Sequence, residues 1–174
     1  SRNSAFGQYL VAQLDNRSLE ELTSATGIES DGTYLYVSDN TFRIERFNVS
    51  TGAYGGWIGK IATVPTGGAA GCTTAAINTF TPGWCTGGTA ATGTGDGMLS
   101  SPRGIYANGG NLYVVDSGNF RISRYTASTG AFTGWIGNVS TVPTGGASGC
   151  TTASASAFTP GWCTGGTAKT GTGT

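Results

Sequence analysis

Along the second half of the chain, short runs of β-branched and aromatic residues end repeatedly at turn residues. "NLYVVDS", residues 111–117, is one such run; "NFRISRYTA" sets apolar Phe120 and Ile122 against Arg121 and Arg124; "STGAFTGWIG" holds a Ser-Thr-Gly turn and another short strand. With "PRGIYA" in front of them, these runs predict four short strands joined by tight connections. The first half carries the same pattern. Residues 27–39 align with 104–116 at an offset of 77, and 43–94 with 121–172 at an offset of 78. In the longer block 37 of 52 positions are identical, so the chain is two copies of one unit behind an N-terminal segment.

Four antiparallel strands in succession make one meander, and a lone meander leaves both faces bare. Radial repetition of such sheets about an axis covers them. The expected fold is therefore all-β, with two four-stranded β-propeller blades per chain.

"SSPRGIYANGGNLYVVDSGNFRISRY" resembles the NHL repeat, in Pro102, Gly104, Ile105, Asp116, Gly118, Asn119, Arg121 and Ile122. The first copy departs from that pattern: Ala25 stands in place of the proline, and "DNTFRI" lacks the Gly-Asn turn. The unit is also about twice the length of an NHL repeat. Its excess is residues 60–96, copied from Asn138 onward. This Thr/Gly-rich insertion resembles repeat units of surface proteins of predatory bacteria, including the tips of their trimeric fibre adhesins.

The resemblance implies six blades, as NHL-like propellers commonly have, and a propeller needs about four to eight. Three two-blade chains related by a threefold axis would close such a ring, so a homotrimer is expected. The alternative is a longer chain that carries the missing blades itself. The chain divides into residues 1–25, a stalk junction or linker; 26–96, the first blade with its insertion; and 97–174, the second. In the N-terminal segment "FGQYLVAQL" has strand character, and Ser18 with Glu21 forms a capping box for one helical turn. The first residues lack the charged and apolar regions of a signal peptide, so the chain reads as a mature product or an excised piece of something larger.

Charge narrows the partners. Lys and Arg number 9, Asp and Glu 9, and no basic stretch occurs, which argues against nucleic acid. No apolar run is long enough to cross a bilayer, so no direct membrane insertion is expected. The four cysteines fall as Cys72 with Cys85 and Cys150 with Cys163. Two local disulfides in an oxidising, extracellular or cell-surface setting are expected. Zinc held by four thiolates is the rival, weakened by the absence of histidine. No cofactor or metal is expected.

A disulfide closing each insertion loop contributes about 3 kcal/mol, enough to order a Gly/Thr-rich segment that would otherwise stay disordered. Phe80, Pro82 and Trp84, with Phe158, Pro160 and Trp162, offer each loop an apolar centre. The aromatics pack either on their own disulfide or on the neighbouring blade, or else they present ring faces to a sugar. Trp57 and Trp135 read as packing residues. Asp39 and Asp116 end the second strand of each unit and fix the turn, with a ligand role beside Asn119 as the alternative; Arg43 and Arg121 brace the blade.

With no histidine, no Gly-x-Ser-x-Gly elbow and no phosphate-cradling loop, the chain does not read as an enzyme. The expected function is a surface-displayed fibre-tip adhesin binding a glycan or envelope component of a target cell. Phe80, Trp84, Phe158, Trp162, Asp39, Asp116 and Asn119 are its candidate ligand contacts. The alternative is a structural spacer in a longer secreted propeller.

Overall fold

The structure, a computed structural model, describes residues 22–171. The strand and capping box read before residue 22 lie outside the described residues. In the first copy of the repeat, β1 (Ala25–Ser30), β2 (Tyr34–Asp39), β3 (Arg43–Asn48) and β4 (Tyr54–Thr63) form an antiparallel meander. The insertion adds β5 (Gly67–Gly68), β6 (Cys85–Thr86) and β7 (Thr89–Ala91). The second copy repeats this as β8 (Pro102–Asn108), β9 (Asn111–Asp116), β10 (Arg121–Thr126) and β11 (Phe132–Thr141), followed by β12 (Gly145–Gly146), β13 (Cys163–Thr164) and β14 (Thr167–Lys169). The fold is all-β, with two seven-stranded antiparallel sheets arranged as blades.

The departures of the first copy from the repeat pattern leave its strand pairing intact but shorten the β2–β3 turn by one residue, which removes the 3-10 turn that Ser117–Asn119 makes in the second copy. Ala25 pairs with Asp39 as Pro102 pairs with Asp116, and a bulge follows in each strand. The missing Gly-Asn turn is replaced by side-chain bonding: Thr41 donates its backbone N–H and its hydroxyl to Asp39 Oδ1, each at 2.8 Å. Both copies then pass through a left-handed phenylalanine, Phe42 (φ 70°) and Phe120 (φ 55°).

The blades pack face to face. Alternation along β2 turns Tyr34 and Tyr36 toward the second blade, where they meet Leu99, Leu112, Val114 and Tyr125 in one core with Ile44, Ile58 and Trp84. Strands β1 and β8 run beside each other. The Thr26 hydroxyl donates to the Pro102 carbonyl at 2.7 Å and the Ser38 hydroxyl to the Arg103 carbonyl. A Cβ on Gly27 would collide with that Arg103 carbonyl, so the close approach requires glycine.

The insertions are ordered by pairing with their own blades rather than by a separate apolar centre. Trp57 pairs with Cys85 across β4 and β6, and Ile61 exchanges backbone hydrogen bonds with Asn78 and Thr79 at 2.8 Å. The returning chain thus covers the open edge of β4, an edge that would otherwise template pairing with other chains. Both disulfides form, Cys72–Cys85 and Cys150–Cys163. They are fully buried beneath Trp57 with Ile61 and beneath Trp135 with Val139. The expected packing role of Trp57 and Trp135 is therefore to seal the disulfides.

Candidate binding faces

Two sets of sequence candidates separate in space. Asp39 and Asp116 are completely buried. Asp116 accepts the Ser100 backbone N–H at 2.7 Å, the Asn119 side-chain amide at 2.7 Å and Arg121 Nε at 3.2 Å. Burial pushes its carboxyl above the usual value, against the pull of the Ser100 N–H and Arg121. Asp39 accepts the Thr23 backbone N–H at 2.9 Å, the counterpart of the Ser100 bond. Each aspartate thus ties the strand that opens its blade to the turn that follows the second strand.

Arg121 extends this tie into the linker between blades. Its guanidinium donates to the carbonyls of Thr94 at 3.1 Å, Gly95 at 2.8 Å and Met98 at 2.6 Å, and Asn119 donates to Gly93 at 2.8 Å. The end of the first insertion and the β9–β10 turn therefore lie on one side of the sheets, as blade topology requires. Asp96 in the same linker accepts the Gly165 N–H on both carboxylate oxygens, at 2.8 and 2.9 Å, joining the two insertions. Blade 1 places the buried Arg43–Glu45 ion pair, 2.9 Å apart, where blade 2 has Arg121 and Ser123.

The aromatic candidates occupy unequal places despite near-identical local sequence. Trp84 is 3% exposed and shows no ring face to solvent. It packs against Tyr36, 5.8 Å between centroids, and donates its indole N–H to the Ala127 carbonyl of blade 2 at 3.0 Å. Phe80 is half-buried against Tyr125 at 5.9 Å. In blade 2 the corresponding Trp162 is half-buried beside Tyr113 at 5.6 Å, and Phe158 is 64% exposed. Phe158 borders a groove of about 820 Å³ whose walls include Val115, Phe120, Ile122 and, at the polar end, Asn138 and Lys169. The β9–β10 turn that carries Asn119 also borders this groove through Ser117 and Phe120. Asp39, Phe80 and Trp84 do not line it.

Sequence reading missed two members of this arrangement. Arg46 and Arg124 lie over the Trp84 and Trp162 rings, 4.6 and 4.5 Å from their centroids. Their signal was available: the arginine recurs at the same place in both copies. The apolar groove was hidden because Val115 replaces Ser38 of the first copy.

The pattern of the NHL repeat matches residues 99–125, the stretch from the linker through β8 and β9 into β10. No curated protein matches the chain. Propellers built from this repeat are characteristically protein-interaction domains, and the two disulfides fit an extracellular location.

Proposed function

We propose that the chain is a non-catalytic binding domain displayed on a cell surface, an adhesin tip that recognises a neutral glycan or envelope component of a target cell. Three copies would close a six-bladed disc, bringing six insertions together on it. The observation that carries this reading is the construction of the insertions. Each is clamped by a buried disulfide and sheet pairing, yet turns an exposed, uncharged tip outward: Thr73, Thr74, Ile77 and Asn78 in the first, Thr151, Thr152 and Ser154 in the second. From Ile61 to Gly95 no residue is charged. Hydroxyls and small apolar groups on a rigid support suit neutral sugars, and repetition around a disc multiplies weak contacts by avidity.

The test is binding of the purified chain to a glycan panel and to isolated envelopes, with Ile77→Asp as the probe of the tip. Binding that falls at least tenfold in this variant, with an unchanged melting temperature and little dependence on salt, is expected. No binding to either target would overturn the reading. One observation favours the spacer instead: the insertion covers the open edge of β4, a role complete without any ligand.

A further inference from the structure

Blade 2 reaches blade 1 through the turn between β10 and β11, residues 127–130. Trp84 donates to the Ala127 carbonyl at 3.0 Å, and Arg46 Nη1 to the Ser128 carbonyl at 3.2 Å. Gly130 (φ 76°) lies so close that a Cβ there would fall 2.7 Å from Ile58 Cγ2 and 3.2 Å from the Trp84 indole nitrogen. Arg46, Trp84 and Ile58 together form a seat for a glycine turn.

Repetition supplies both parts a second time. Blade 2 carries the seat as Arg124, Trp162 and Ile136, with Arg124 stacked on Trp162 at 4.5 Å. Among the described residues nothing occupies it: Ile122 is 36% exposed where its counterpart Ile44 is fully buried, and Val115 and Phe158 open to solvent beside it. Blade 1 carries the turn as residues 49–52. Its backbone closes as the other does, Gly52 N–H to Asn48 at 2.8 Å against Gly130 N–H to Thr126 at 2.8 Å, and Gly52 has φ 68°. Among the described residues this turn is unused. A Cβ on Gly52 would meet nothing within 4 Å, and Val49 is 44% exposed where Ala127 is 4% exposed. Leu22 is likewise exposed where its counterpart Leu99 is buried.

We propose that the Trp162–Arg124 seat of one copy receives the turn 49–52 of a second copy, reproducing between chains the contact already made within the chain. The Trp162 indole N–H then donates to the Val49 carbonyl, Arg124 donates to the Ser50 carbonyl, and the second copy covers the apolar groove beside Phe158. Seat and turn are different surfaces, so the association is head-to-tail and continues until it closes. The chain's zero net charge opposes it by no long-range repulsion. This inference rests on the proposed closure of the disc between chains.

Two variants test it. Gly52→Asn keeps the left-handed backbone, which asparagine tolerates, but puts a side chain where the seat has no room. Trp162→Ala removes the indole donor and its ring from a half-exposed position. Native masses are measured at a matched micromolar concentration without reductant, alongside melting temperatures. The wild-type chain of 17.5 kDa is expected as a trimer of about 52 kDa, with association weakened at least tenfold in each variant and the fold retained. Wild-type trimers undiminished in either variant would overturn the seat while leaving a ring closed in another way. A wild-type monomer would overturn the seat and the ring together.

Discussion

Trp84 and Ala127 are 43 positions apart in the chain, and the 3.0 Å bond from indole N–H to backbone carbonyl joins the insertion of one blade to a turn of the other. The bond is buried, so deleting the donor leaves a carbonyl without a partner. In the Gly52→Asn background, chosen because that variant is expected to weaken association, Trp84→Phe is expected to lower unfolding free energy by about 1–2 kcal/mol. Trp162→Phe in that background is expected to change it by less than about 0.5 kcal/mol. Urea titration separates the two, and equal losses would contradict the unequal environments.

The Arg121 guanidinium is expected to resist replacement by lysine. It is 4% exposed and serves one carboxylate and three carbonyls with a planar fork that an ammonium cannot match. Arg121→Lys should destabilise by about 2–3 kcal/mol. Hydrogen exchange should locate the loosening in the linker around Gly95 and Met98. A loss spread evenly over the chain would assign Arg121 a different role.

Acid should expose the work of Asp31. Burial alone would raise its carboxyl, but bonds from the Tyr34 N–H, the Tyr36 hydroxyl and the Thr33 N–H together hold it below its ordinary 3.8. A folded-state value below the unfolded one contributes stability that is complete above pH 3.8 and lost as pH falls through the lowered value. Asp31→Asn keeps the Oδ1 acceptor for the Thr33 and Tyr34 N–H groups without the charge, and sets an amide N–H against the Tyr36 hydroxyl, which then accepts rather than donates. Between about pH 5 and pH 2.5 the melting temperature of the wild type should therefore fall further than that of the variant. Asp116, shifted the other way, is common to both proteins and cancels from the difference.

Each disulfide spans 13 positions and is buried under a tryptophan. Replacing Cys72 and Cys85 together with serine should cost about 3 kcal/mol or more, from loop entropy and from hydroxyls placed in an apolar cluster. Chemical denaturation measures this. A cost under about 1 kcal/mol would mean that the sheet pairing alone orders the insertion.

The strands were legible where one side chain in two faces a core. "NLYVVDS" reads as a strand, and β9 covers Asn111–Asp116. The short strands of the insertions left no such trace. They pair over two or three residues, and glycine geometry sets them: at Gly68 (φ 105°) a Cβ would strike the Trp84 carbonyl and the Cys85 backbone. The exposure of the candidate aromatics was also illegible, for a different reason. Trp84 and Trp162 sit in the same local sequence, "FTPGWCTGG". What separates them is tertiary: blade 1 has a neighbour against that face, and blade 2 has none among the described residues.

Closure of the disc between chains is tested most directly by imaging the particle. Negative-stain electron microscopy of the chain in non-reducing buffer is expected to give flat discs whose class averages show six lobes in a threefold arrangement. Particles of two lobes at the same concentration would contradict closure by a second copy, and would assign the open face of blade 2 to further blades of a longer chain.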